Sequence, residues 1–119
     1  DGQHRRSIMT RPLRHTSEDY CSLLWRAVSL GREPVLVTGA GLQDAEREGS
    51  AGAILCVLID GEELERIPLV GDPLPRSWSD HRIDLASYAD QSVDIELRTW
   101  ANGTRCVALW GDPTLEFQR

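Results

Sequence analysis

Four tryptophans, Trp25, Trp78, Trp100 and Trp110, stand against a single phenylalanine, Phe117. An exposed indole presents a flat apolar face and one N–H, a combination suited to stacking on the C–H face of a pyranose ring. Trp100 is the one whose surroundings point that way. Val93, Ile95, Leu97 and Thr99 alternate with Asp94, Glu96, Arg98 and Trp100. Strand periodicity therefore turns Trp100 outward, either as a ligand platform or as cover for a sheet edge. Trp25, inside an apolar strand, and Trp78 and Trp110, at strand ends, read as residues that fill or seal the core. Trp100, Arg98, Asn102 and Arg105, grouped about one turn, form the candidate carbohydrate-binding set.

Other residues raise the question of catalysis. Asp80-His81 with Asp84 contains the components of an acid–base pair, in which a carboxylate orients an imidazole. Adjacent strand residues point to opposite faces, however, so Asp80 and His81 cannot easily meet. No serine sits in a tight glycine-flanked elbow, and Cys56 and Cys106 lie in apolar runs. The acids are spread through loops and outward strand positions, not paired across a cleft as glycoside hydrolysis requires. No catalytic residue is assigned. Gly39 and Gly41 resemble the start of a phosphate loop, but no further glycine opens a helix at the required spacing. Cys21, Cys56 and Cys106 are an odd number without metal-ligand spacing, and they read as structural thiols. No metal or cofactor is expected. Oxygen donors such as Asp112 and Glu116 make a structural calcium ion the plausible exception.

The elements that would hold these residues read as strands. Tyr20–Leu30 and Pro34–Leu42 are strand-like runs separated by Gly31 and Pro34. Leu42–Gly52 is a polar connection, with a helical turn expected at Asp44–Glu48. Ala53–Ile59, AILCVLI, is continuously apolar and reads as an interior strand covered on both sides. Asp60-Gly61 then supplies the strongest hairpin signal, because both turn positions must tolerate positive φ. The two prolines of Gly71–Ser77 mark a long crossing between sheets. HRIDL is a strand with Ile83 and Leu85 inward, ASYADQ a helical turn, and Ser92–Trp100 the alternating strand. Asn102-Gly103 predicts a second hairpin, pairing Ser92–Trp100 with Arg105–Trp110. It also forms an Asn-x-Thr glycosylation acceptor with Thr104, but the turn is the simpler reading. Gly111-Asp112-Pro113 predicts a turn into a last strand, TLEF. About eight strands without βαβ alternation specify an all-β fold, an antiparallel β-sandwich of jelly-roll type over residues 19–119. Residues 1–18 lack periodicity and read as an irregular, basic N-terminal arm.

Length and charge narrow the partners. A chain of 119 residues makes one domain with one core. Its net charge of -6 disfavours nucleic acid, and no apolar run is long enough for membrane insertion as a helix. All 13 basic residues are arginine, a bias expected of a GC-rich, bacterial genome.

The ordered segments VLIDGEEL, then RIDLASYADQSVDIELRT, then VALWGDPTLEF resemble the galactose-binding-like jelly-roll modules, often grouped with carbohydrate-binding modules, that bacteria append to glycosyltransferases and sulfatases. The resemblance covers Ala53–Phe117, with PVLVTGAGL as a weaker match before it. It implies sugar binding through end loops or an exposed aromatic, often with a structural calcium ion. The chain departs from it at Cys106 and Val107, where relatives carry an acidic residue and an aromatic. The expectation is therefore a non-catalytic accessory module that contacts carbohydrate or a neighbouring catalytic domain. The alternative is a structural or oligomerisation domain built on protein–protein contacts.

Overall fold

The computed structural model describes residues 4–9, 11–16, 20–43, 53–69, 79–101 and 107–118. Nine strands appear among them: β1 (His4–Ile8), β2 (Leu13–Thr16), β3 (Tyr20–Ser29), β4 (Arg32–Gln43), β5 (Ala53–Ile59), β6 (Glu62–Leu69), β7 (Ser79–Asp84), β8 (Ser92–Ala101) and β9 (Val107–Gln118). A single 3-10 turn, Ala86–Tyr88, links β7 to β8. The strands form two antiparallel sheets, one ordered β1-β9-β4-β7 and the other β2-β3-β8-β5-β6. The fold is the expected β-sandwich.

Alternation decides what lies between the sheets. Val93, Ile95 and Leu97 of β8 are buried and face Leu36, Ile83, Leu85 and Leu115 from the opposite layer, with Trp25, Val57 and Ile59 beside them. A smaller cluster, Ala40, Ala53, Leu55, Ile67 and Leu69, continues the core toward the other end. Trp110 packs against both clusters. Its indole N–H donates to Thr99 Oγ1 at 3.1 Å, which ties β9 to β8 across the sandwich. This fits the core-sealing role expected for the half-buried Trp110, and Trp25 is buried. Trp78 lies outside the described residues.

Asp60-Gly61 forms the predicted hairpin, with φ of 50° and 85° at the two turn positions. Such angles match a two-residue hairpin turn and need glycine at the second position. Asp60 also does more than turn the chain. Its N–H donates to the Asp94 carbonyl at 2.9 Å and its Oδ1 accepts the Asp94 N–H at 2.8 Å. Asp94 Oδ1 in turn accepts the N–H of Ala27 at 2.9 Å, inside the bulge that shifts the β3–β8 register between Trp25 and Val28. Ala27 sits at a φ of 53°, outside the regular ladder, so Asp94 supplies the acceptor its amide would otherwise lack. Replacing Asp94 with alanine is expected to cost about 1–2 kcal/mol in chemical denaturation. The size of the loss measures how far this bracket stabilises the bulge.

Three sequence expectations are corrected. Within the lead-in read as an irregular arm, His4–Ile8 and Leu13–Thr16 are strands, β1 pairing with β9 and β2 with β3. The partner of β1 lies at the far end of the chain, and β2, at four residues, is too short to show a periodicity of its own. Asn102-Gly103 does not join a hairpin, because β8 lies in the five-stranded sheet while β9 pairs with β4 and β1 in the other. The chain crosses between layers there, and residues 102–106 themselves lie outside the described residues. Gly111-Asp112-Pro113 is a bulge within β9, not a turn; the register to β4 shifts between Val37 and Gly39, with Asp112 at a φ of 44°. Nine strands lie among the described residues, in keeping with the expected eight or so; the lead-in contributes two of them and the segment around Gly111 does not divide β9. The proline-rich crossing after β6 does connect the two sheets, since β6 and β7 belong to different ones.

Candidate functional site

The outward face of the five-stranded sheet collects the chemistry. In the antiparallel register Tyr20 of β3 stands directly opposite Trp100 of β8, and Ser22 opposite Arg98. On the other side of β8, Ile54 and Cys56 oppose the same two residues, and Pro68 and Arg66 of β6 follow beyond them. Residues directly opposite share a face. The pairing thus sets Tyr20, Trp100, Ile54 and Pro68 in one row across four strands, and Ser22, Arg98, Cys56 and Arg66 in the next. His15 of β2 extends the second row, opposite Ser22.

Within these rows the aromatic rings gather around one cation. Tyr20 and Trp100 lie 4.8 Å apart between centroids with a 48° tilt, and His15 packs against Tyr20 at 5.6 Å. The Arg98 Cζ sits 4.3 Å from the Tyr20 centroid and 5.6 Å from that of Trp100, both within cation–π range. Arg98 Nε donates to Glu96 Oε2 at 2.7 Å, and this bond holds the guanidinium further above its ordinary range. The two side chains of the pair are 24% and 16% exposed, so the charges are partly desolvated yet reachable from solvent. The arrangement offers aromatic faces, several N–H donors and a carboxylate acceptor within one patch.

Of the predicted site residues, Trp100 and Arg98 are brought together on the outward face. Asn102 and Arg105 lie outside the described residues. Tyr20, His15 and Glu96 were missed. Glu96 shows in the alternation as an outward residue, but Tyr20 and His15 join the patch only through the β3–β8 and β2–β3 registers, which no local pattern reveals.

Cys56 belongs to the same face, not to the core. Its position opposite Arg98 and Arg66 places it on the outward side of β5, where it is only 1% exposed. Burial, followed by the hydrogen bond to Glu63, pushes its thiol up to about 11. Glu63 is itself bonded by Arg66 through Nε and Nη2, at 3.1 and 2.9 Å. Long paired side chains thus roof the outward side of β5, and they explain why AILCVLI is apolar throughout. Cys21 is exposed, and Cys106 lies outside the described residues.

Two recesses lie elsewhere. One of about 440 Å³ opens on the outer face of the four-stranded sheet, where Gly39 faces Gly111 and leaves the surface without side chains between Val37, Asp80 and Asp112. The other, about 290 Å³, is bounded by Leu23, Leu97 and Trp110 with Cys21 and Arg14. The acid–base pair considered from the sequence does not form: His81 Nε2 is hydrogen-bonded to Ser79 Oγ at 2.8 Å, while Asp80 lies exposed at the glycine recess. Glu116, a candidate oxygen ligand, is buried and accepts from Arg82 Nη1 at 2.9 Å. Among the described residues no three His, Cys, Asp or Glu side chains converge on a metal position, and no helix is long and apolar enough to cross a membrane.

No protein-family model matches the chain, and no curated protein sequence matches it. Solved structures do. The CBM51-2 and INT domains of ZmpB from Clostridium perfringens match with a TM-score of 0.61 and 18% identity, over 99% of this chain and 28% of that one. The CBM51-2 in complex with GlcNAc and INT domains of the same protein match with a TM-score of 0.59 and 16% identity, again over 99% and 28%. A family 35 carbohydrate binding module from Clostridium thermocellum matches with a TM-score of 0.47 and 12% identity, over 100% and 93%. The chain therefore spans about 28% of the length of the first two structures. What it has in common with them is the carbohydrate-binding-module-like β-sandwich fold.

Proposed function

We propose that the chain is a non-catalytic carbohydrate-binding module of a bacterial carbohydrate-active protein, and that it contacts sugar through the outward face of the five-stranded sheet. The observation that carries this reading is the convergence of Trp100, Tyr20 and Arg98 at 4.3–5.6 Å on a solvent-facing sheet surface. A pyranose has an apolar C–H face and a rim of hydroxyls, which match a ring surface bordered by charged donors and acceptors. The fold in common with the ZmpB structure of CBM51-2 and INT domains supports the reading, and so does the complex of that CBM51-2 with GlcNAc. Catalysis finds no support in the arrangement of the three candidates: His81 is bonded to Ser79, Asp80 lies at the glycine recess, and Asp84 Oδ1 accepts the N–H of Ala86 at 2.8 Å.

The test is a glycan array followed by calorimetric titration of the best ligand against the parent chain and Trp100→Ala. Loss of the platform is expected to weaken binding at least tenfold, or about 1.4 kcal/mol, with an unchanged circular dichroism spectrum. Equal affinity in the two proteins would move the site away from Trp100. A blank array would remove the carbohydrate reading.

One observation favours the second reading, a structural or docking module. Leu13, on β2 at the edge of the same sheet, is 57% exposed and stands opposite Leu24. Light scattering separates the two, since an assembly module predicts a mass above that of the monomer.

A further inference from the structure

We infer that the Trp100 patch selects uncharged glycans and discriminates against uronic, sialic and sulfated sugars, with the Glu96–Arg98 pair acting as a joined acceptor and donor for neighbouring hydroxyls. The inference rests on the carbohydrate reading above and adds the chemical class of the ligand.

The argument is one of charge accounting at the patch. An anionic sugar needs a cation whose charge is not already cancelled. Arg98, the cation in contact with both aromatic rings, has Glu96 at 2.7 Å. Arg66, next in the same row, has Glu63 at 2.9 Å. Two guanidinium groups are thus matched by two carboxylates, and the face carries no formal excess of positive charge from these residues. A carboxylate or sulfate placed at Arg98 would meet Glu96 at close range in a partly desolvated setting, where like charges repel more strongly than in water. The net charge of -6 on the whole chain adds a long-range penalty of the same sign.

Hydroxyls face no such penalty. The fork geometry of a guanidinium and the two oxygens of a carboxylate present donors and acceptors side by side, so adjacent sugar hydroxyls can give one hydrogen bond and receive another. Among the described residues, Nε is the only Arg98 nitrogen committed to Glu96, and Oε2 the only Glu96 oxygen committed to Arg98. The Arg98 guanidinium, 5.6 Å from the Trp100 centroid, borders that ring.

The experiment compares galactose with galacturonate and glucose with glucuronate, each pair differing only at C6, along with neutral and acidic oligosaccharides, using NMR titration at low and moderate salt. The expected result is binding of the neutral member at least tenfold tighter than its uronate, with little salt dependence. Glu96→Gln, which removes the repelling charge but keeps the shape, is expected to narrow that gap by raising uronate affinity. Uronates or sulfated glycans that bind as tightly as neutral ones, with affinity falling as salt rises, would overturn the inference and leave the carbohydrate reading intact. Absence of any glycan binding would remove both.

Discussion

Replacing Ile95 by alanine is expected to cost about 3–4 kcal/mol of stability and to lower Tm by roughly 10–15 °C. Ile95 is fully buried at the centre of β8, opposite Trp25 on one side and Ile59 on the other. Its side chain also faces the second sheet, so truncation opens a cavity between layers that neither sheet can close without breaking its ladder. Domains of this size commonly have only 5–15 kcal/mol of net stability, so the variant should remain folded at 25 °C but with a much lower denaturation midpoint. Ile95→Val, which removes one methylene, should cost about 1 kcal/mol. Urea denaturation of the three proteins with a shared slope checks the series. A loss below 1 kcal/mol for the alanine variant would show a core able to collapse around the gap.

The second large effect is alkaline. The Cys56 thiol is held up at about 11, first by burial and then by its hydrogen bond to Glu63, against an ordinary value of 9.0. A thiol freed by unfolding ionises near its ordinary value, while the folded one stays protonated. Between pH 9 and about 11 the folded state therefore binds more protons than the unfolded state, and stability falls as pH rises through that window. Two pH units correspond to about 2–3 kcal/mol, lost in full only above the folded value. Cys56→Ser keeps the hydrogen-bonding shape and does not ionise in this range. Denaturation at pH 8, 9.5 and 10.5 should show the parent chain losing about 2 kcal/mol relative to the variant; parallel curves would refute the assignment. Alkylation followed by peptide mapping gives an independent check. Exposed Cys21 should react at least 100-fold faster than Cys56 at pH 8, because both burial and a low thiolate fraction protect the latter.

The roof over Cys56 also bears on the patch. Arg66 and Arg98 both interact electrostatically with the thiol and lie in the row next to Trp100. Long charged side chains laid flat across a sheet cover apolar backbone with their methylene stems while keeping their heads wet. The same residues therefore shield β5 from solvent and supply the polar border of the candidate sugar surface.

By itself, the sequence determined the layers of this protein and the orientation of many residues within them. Period two in Val93–Trp100 placed Trp100 and Arg98 outward, Asp60-Gly61 specified a hairpin, and the apolar run of β5 predicted cover on both sides. These are local consequences of the pleat and of turn stereochemistry, so a few neighbouring residues suffice to express them. Only the tertiary structure decided which strands meet. It brought Tyr20 and His15 to Trp100 from nearly the other end of the chain, turned Cys56 out of the core, sent the chain across layers after β8, and made strands of the lead-in. Register between distant strands is fixed by the burial of whole faces together and by bulges such as that at Ala27. Those constraints exist only once both sheets are assembled, and the composition of the site depends on them.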